Sequence, residues 1–162
     1  MKILALDIGT HTGIAHNLGE GIDAGTLTLA TPKEIAAWGK QRITRRSDPR
    51  VPRLYKYLCC LPKPDAVVFE SVDFSTYTLQ VQLWASLRSA LWLAFPSDVT
   101  TIECIGVSAL KKWFTGSGNA TKEQMAKTLY QKYPQWRDAK LGEDAVDALA
   151  VFYWGQWALG RK

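Results

Sequence analysis

The sequence predicts an α/β domain with a mixed five-stranded sheet flanked by helices. Short apolar runs rich in β-branched residues alternate with longer helical segments, and the last third of the chain is helical throughout. Short glycine-rich turns connect the first strands, whereas helices lie between the later strands. The order is three strands, helix, strand, helix, strand and then helices, which is typical of a domain that mixes parallel and antiparallel pairing.

The first three predicted strands form an antiparallel meander. The run "KILALDI" is almost continuously apolar, as expected of a central strand that is covered on both faces. The glycines of "GTHTGIAHNL" and "GEGIDAGTLTL" mark two further strands close behind it. The runs "AVVFES" and "VTTIEC" supply the fourth and fifth strands.

Helices are predicted between and after these strands. Thr31 and Pro32 begin the first helix, and a segment rich in Leu and Trp predicts another over residues 78–95. The C-terminal helices are expected over residues 107–114, 121–133 and 143–159. In the second of these, Thr121 and Gln124 have the spacing of a capping box.

Composition favours a single globular domain over residues 1–162, since the hydrophobic fraction is 47% and the charged fraction 22%. Long uncharged apolar runs are absent from the sequence, and an acid at position 7 interrupts any secretory signal, so we expect a cytoplasmic protein with no membrane partner. Three cysteines without paired metal-ligand spacing, Cys59, Cys60 and Cys104, are expected to be reduced and structural.

The charge balance favours a polyanionic partner, because Lys and Arg outnumber Asp and Glu by 20 to 15 and the net charge is +5. The basic residues are concentrated in residues 40–56, where Asp48 is the single acid. Two interpretations stay open for this segment. Either Arg45, Arg46 and Arg50 contact DNA phosphates, or the segment is a solvated linker in which Pro49 and Pro52 break helices.

Four carboxylates stand where side chains from different elements can converge. Asp7 lies in the first strand and Glu70 at the end of the fourth, while Asp144 and Asp147 share one face of the last helix. Buried carboxylates repel one another unless a cation binds them. Oxygen ligands suit Mg²⁺, for which Mn²⁺ can substitute, and two such ions about 4 Å apart can promote phosphodiester cleavage. The alternative is that Asp7 simply ends a strand and the helical pair is half exposed.

Four blocks of the sequence resemble, in order and spacing, the motifs of the RuvC-like Holliday junction resolvases: "LALDIGTHTGIA", "VVFESVDF", "SALKKWFTGSGNATKEQMAKTL" and "EDAVDALAVF". The likeness spans residues 3–152 except residues 31–65. It implies an RNase H-like fold and a Mg²⁺-dependent endonuclease, acting as a homodimer, that makes paired nicks in four-way DNA junctions and leaves 5′-phosphate ends. The family's four acids fall on Asp7, Glu70, Asp144 and Asp147, with two ions per active site.

The same resemblance suggests further residues that act on DNA. Lys122 opens a helix after the turn "GSGN" and matches a basic residue of the family, as does Lys111 or Lys112. We expect Lys122 to be catalytic and all three to contact DNA. Phe74 is a candidate for stacking at the junction centre, although the family carries its aromatic one position earlier. Glu143 is interpreted as an ordinary acid at a helix N-terminus.

Two other functions stay open at this point. One is a less selective nuclease that cuts branched or flapped DNA with the same acids. The other is a non-catalytic module that binds junctions or ATP, because actin-like ATPases carry a similar turn after their first strand; an ATPase of that class, however, needs a second domain that 162 residues cannot supply. The short chain and the unmatched basic segment suggest a phage or prophage protein.

Overall fold

The computed structural model describes residues 1–40, 48–71, 78–96 and 100–161. Its centre is a five-stranded sheet made of β1 (Ile3–Asp7), β2 (His11–His16), β3 (Asp23–Thr28), β4 (Ala66–Ser71) and β5 (Thr101–Gly106). The strand order is β3-β2-β1-β4-β5, with antiparallel pairing on the β3 side of β1 and parallel pairing on the β4 side. The mixed five-stranded sheet, its N-terminal meander and its central first strand are therefore confirmed.

Six α-helices occur in the described ranges: α1 (Pro32–Gly39), α2 (Arg50–Cys59), α3 (Thr78–Ala94), α4 (Val107–Thr115), α5 (Lys122–Lys132) and α6 (Glu143–Leu159). The predicted capping box is present, since the Thr121 side chain accepts from the Gln124 backbone and the Gln124 side chain accepts from the Thr121 backbone. Thr31 caps α1 in the same way with Glu34. These caps fix where two helices begin because they satisfy backbone N–H groups that lack partners within the helix.

Of the two interpretations of the basic segment, the one in which Pro49 and Pro52 break helices within a linker does not hold for α2. Pro49 is the residue before α2, and Pro52 lies in its first turn. Backbone N–H groups in a first turn have no partner within the helix, so a proline there removes no hydrogen bond. Leu54 and Leu58, one turn apart, are completely buried and hold α2 against α3. The C-terminal half of the basic segment is therefore an amphipathic helix and not a linker.

Helices cover both faces of the sheet, which explains the unbroken apolar run of β1. Ile3 and Ala5 pack in the cluster that contains α4, α5 and α6. Leu4 and Leu6 point the opposite way, into the cluster formed with α2 and α3. Because side chains alternate along a strand, both sets must be apolar when each face is covered. The first strand thus ends, at Asp7, inside a layered core.

The structure also bears on the cysteines and on the length of the helices. The three cysteines are free thiols, as expected, but all three are exposed and none fills the core. Among the described residues, none of the helices has both the length and the apolar character that crossing a bilayer requires.

Candidate active site

Two neighbouring parallel strands bring the first two acids together. In the register of β1 and β4, Leu6 lies opposite Phe69, so Asp7 and Glu70 follow at the same edge of the sheet. Each carboxyl group is close enough to affect the pKa of the other. This edge of the sheet therefore holds two interacting acids.

A glycine on the other side of β1 admits the helix that carries the second pair of acids. Gly13 lies opposite Asp7 in the antiparallel register of β1 and β2. A β-carbon at Gly13 would lie only 1.9 Å from the carbonyl oxygen of Asp144, so the first turn of α6 rests directly on the backbone of β2. Because Asp147 follows one turn later on the same face, both helical acids are directed toward Asp7.

The turn that follows Asp7 is held from two sides. Inside it, the fully buried Thr12 donates its hydroxyl to the carbonyl oxygen of Gly9 at 2.8 Å. From outside, the Arg50 guanidinium donates to the Thr10 hydroxyl at 2.8 Å. Arg50 is itself fixed by two hydrogen bonds to the Asp48 carboxylate, at 2.9 and 2.6 Å. The backbone that positions Asp7 is therefore tied to α2.

The acids carry more negative charge than their surroundings compensate. Burial, followed by the charges of Asp147 and Asp144, raises the pKa of Asp7 to about 6. Burial and the nearby carboxylates of Asp7 and Asp147 raise the pKa of Glu70 to about 8. Burial also raises the pKa of Asp147. A cation bound among these carboxylates would offset their mutual repulsion.

Two lysines stand at the rim of this acid site, which we define as Asp7, Glu70, Asp144 and Asp147. The positive charge of Lys122 opposes part of the rise in the pKa of Asp7 and of Asp147. Its ammonium forms an ion pair with the Glu143 carboxylate at 2.9 Å. Lys111 lies near Glu70 and Asp147, and its positive charge opposes part of the rise that burial causes in the pKa of both. Lys112 is exposed in the last turn of α4. Of the two adjacent lysines, Lys111 is thus the one that faces the acids.

Comparison with known proteins locates this architecture among solved structures. No protein-family model matches the chain, and no curated protein matches it. The structure of Thermus thermophilus RuvC in complex with a Holliday junction substrate matches with a TM-score of 0.69 and 22% identity, over 93% of this chain and 90% of that one. The chain has the RuvC fold. A second Thermus thermophilus RuvC structure gives a TM-score of 0.65 at 21% identity, over the same shares of the two chains.

The yeast mitochondrial Holliday junction resolvase matches as well, with a TM-score of 0.60 and 12% identity, over 92% of this chain and 75% of that one. The RNase H-like α/β fold is therefore confirmed. The likeness at these identities is one of fold, so the chemistry of this chain has to be argued from its own residues.

Of the other four predicted DNA contacts, the structure describes Arg50 alone. Arg45, Arg46 and Phe74 lie outside the described residues. Arg50 is described, but its side chain is only 11% exposed and is paired with Asp48. Its ion pair with Asp48 and its hydrogen bond to Thr10 indicate a structural role. A phosphate contact by Arg50 stays a prediction, and it would have to compete with these two partners.

The acid site fits hard divalent cations by its donor chemistry. Among the residues the structure describes, no three Asp, Glu, His or Cys side chains lie as close together as a bound metal ion would require. Burial and the neighbouring carboxylates raise the pKa values of both Asp7 and Glu70. A cation bound here would meet only carboxylate oxygens, which suit Mg²⁺ or Mn²⁺ and lack the sulfur or nitrogen typical of zinc sites. Asp7, Glu70, Asp144 and Asp147 would hold it.

The sequence alone does not reveal what two residues beside the acid site do. Gly13 belongs to the motif "LALDIGTHTGIA", and a glycine inside a strand can signal the close approach of another backbone. Glu143 has the pattern of an ordinary acid at a helix N-terminus, and in the structure it is the partner of Lys122. Nothing in the local sequence gives that pairing, because it depends on how α5 and α6 are brought together.

The raised pKa values predict how stability depends on pH. Asp7 and Glu70 bind protons more tightly in the folded chain than their ordinary values of 3.8 and 4.5 allow when unfolded. The folded state thus holds more protons between about pH 4 and pH 8, and stability without metal falls as the pH rises through that window. We expect the melting temperature in EDTA to be about 5 °C lower at pH 8 than at pH 5.5.

Glu70→Gln should remove most of this difference, whereas Glu123→Gln, which alters an exposed acid of α5, should leave it intact. Thermal melts at the two pH values check both variants. A parent protein that is equally stable at pH 5.5 and pH 8 in EDTA would contradict the electrostatic description of the site.

Proposed function

We propose that the chain is a divalent-cation-dependent endonuclease that resolves four-way DNA junctions by paired nicks. The observation that carries the proposal is that the register of β1 and β4 sets Asp7 beside Glu70, while the contact of α6 with β2 brings Asp144 and Asp147 near enough to act on the charge of Asp7. The shared fold supports it, because one matching structure was solved in complex with a Holliday junction substrate. The positive net charge of +5 is consistent with a nucleic acid partner.

The chemistry we propose divides between the acids and the lysines. Two divalent cations, when bound, would supply the charge that activates water and stabilises the leaving oxygen. The acids would hold and orient that charge against the scissile phosphate. Lys122, at the rim, contacts a phosphoryl oxygen as negative charge develops on it. Water adds to phosphorus and the bond to the 3′ oxygen breaks, which leaves a 5′-phosphate and a 3′-hydroxyl.

The substrate test uses a four-way junction of fixed sequence, a flap and a linear duplex, each incubated with purified protein in Mg²⁺. Paired cuts placed symmetrically in the junction, with little cleavage of the others, would support the proposal. Equal cleavage of flap and junction would instead support a less selective nuclease. Junction binding without cleavage in Mg²⁺ or Mn²⁺ would leave a non-catalytic module, and thermal stabilisation by ATP but not by Mn²⁺ would identify an ATP-binding one.

Lys122→Ala should lower the rate of the chemical step. We propose Lys111, Lys112 and Lys122, with Arg45, Arg46 and Phe74, as DNA contacts, but Lys122 alone as a group that acts on the scissile phosphate. A contact that strengthens in the transition state appears in turnover at saturating DNA. Single-turnover rates with excess enzyme should therefore fall for Lys122→Ala, by about 10²-fold. A variant that binds weakly but cuts at the parental rate would reduce Lys122 to a general DNA contact.

We also propose a homodimer, because two strands must be cut and each protomer has one acid site. The helix α3 carries large apolar side chains that are exposed in the isolated chain: Leu79, Val81, Trp92 and Leu93. Burial of exposed apolar side chains is a common basis of subunit association. Sedimentation at micromolar protein should give twice the 18.1 kDa chain mass. Paired cuts made by a species that sediments as a monomer would argue against the dimer.

A further inference from the structure

An ion pair joins the starts of two helices at the edge of the acid site. Lys122 is the first residue of α5 and Glu143 the first residue of α6. The Lys122 ammonium lies 2.9 Å from the Glu143 carboxylate, and the two side chains are 55% and 70% exposed. Glu143 is not among the four acids proposed to bind metal, and the proposed chemistry gives it no task.

The position of Lys122 presents a conflict that this pair resolves. Besides Glu143, the charges that face the ammonium are the carboxylates of Asp144, Asp147 and Asp7. Lys111 already places a second positive charge near Glu70 and Asp147 from α4. A lysine side chain is long and flexible, so without Glu143 the nearest favourable place for the ammonium is among the ligands themselves. There it would occupy the position of a cation.

We infer that Glu143 is a positioning residue that holds Lys122 at the rim, outside the acid site, until a DNA phosphate takes the ammonium over. The inference rests on the proposed function, since it assumes that the four acids bind divalent cations. An exposed ion pair contributes little to folding stability. Its effect is expected instead in the competition between the Lys122 ammonium and a divalent cation for the acid site. There, even a modest preference of the ammonium for Glu143 changes the fraction of acid sites that hold the cation.

The test is a double-mutant cycle read by metal binding, without any cleavage assay. The Mn²⁺ concentration that gives half of the maximal thermal stabilisation is measured for the parent, Glu143→Gln, Lys122→Ala and the double variant. Glu143→Gln should raise this midpoint by roughly threefold to tenfold when Lys122 is present and should have much less effect when Lys122 is alanine. Glu143→Asp, which keeps the charge, should restore a midpoint near the parental one.

A matched control separates this coupling from simple loss of charge. Glu123→Gln removes an exposed carboxylate from the residue next to Lys122 and should leave the midpoint unchanged. An equal shift from Glu143→Gln with and without Lys122 would show that Glu143 acts through its charge alone and would overturn the inference. No shift in either background would overturn it too.

The inference and the proposed function fail in different ways. Coupling between Glu143 and Lys122 in a protein that binds Mn²⁺ but never cuts DNA would overturn the proposed function alone. Junction cleavage with no such coupling would overturn the inference alone. A parent protein that binds no Mn²⁺ would overturn both.

Discussion

Asp7→Asn is expected to abolish junction cleavage, by on the order of 10³-fold or more, while binding of the junction persists or tightens. Asparagine keeps the shape of the side chain but removes an anionic ligand from the centre of the acid site. It also removes one of the charges that repel DNA phosphates. Catalysis and affinity should therefore move in opposite directions, which loss of folding could not produce. Asp144→Asn should behave in the same way.

The measurement pairs single-turnover cleavage with equilibrium binding in Ca²⁺ or EDTA. Asp138→Asn, which alters an exposed acid outside the site, is the matched control and should cut at the parental rate. Because Asp7 is destabilised by its neighbours, the Asp7→Asn protein should melt no lower than the parent at pH 8. Nicking near the parental rate by Asp7→Asn or Asp144→Asn would remove that residue from the proposed site.

Gly13→Ala is expected to damage both folding and the acid site. The new β-carbon would lie 1.9 Å from the carbonyl oxygen of Asp144 and 2.6 Å from its carbonyl carbon, and both atoms belong to the helix backbone. No change of side-chain rotamer relieves that overlap, so α6 must move away from β2. We expect a loss of roughly 2–3 kcal/mol, a melting temperature lower by about 5–10 °C, and much weaker Mn²⁺ binding.

Gly25→Ala supplies the control, since it makes the same change in the neighbouring strand β3, where a β-carbon meets nothing within 4 Å. It should change the melting temperature little and leave Mn²⁺ binding as it is. Thermal melts and Mn²⁺ titrations on both variants make the comparison. If Gly13→Ala bound Mn²⁺ as tightly as Gly25→Ala, the close packing of α6 on β2 would not be what positions the helical acids.

The sequence predicts most of the sheet and the acid set because their signals are local. A strand covered on both faces needs apolar residues at every position, and β1 has them up to Asp7. The spacing of Asp144 and Asp147 puts them on one face of any helix, wherever that helix lies. Capping residues such as Thr121 mark a helix start through their immediate neighbours.

The missed features depend on contacts between distant segments. Pro49 and Pro52 are poor helix residues taken alone, yet α2 forms because Leu54 and Leu58 are buried against α3. The pairing of Lys122 with Glu143 requires two helix starts to meet, and their separation in sequence carries no sign of it. The place of Arg50 beside Thr10 is likewise set by packing across 40 residues of chain.

Asp7, Glu70, Asp144 and Asp147 are proposed to form one divalent-cation site. Crystals grown with Mn²⁺ and measured at the manganese absorption edge locate bound manganese by its anomalous scattering. Anomalous peaks are expected within about 2.0–2.6 Å of carboxylate oxygens of these four residues, and they should be lost from Asp7→Asn crystals. Manganese peaks that lie only beside other residues at saturating Mn²⁺ would show that the four acids do not form the site.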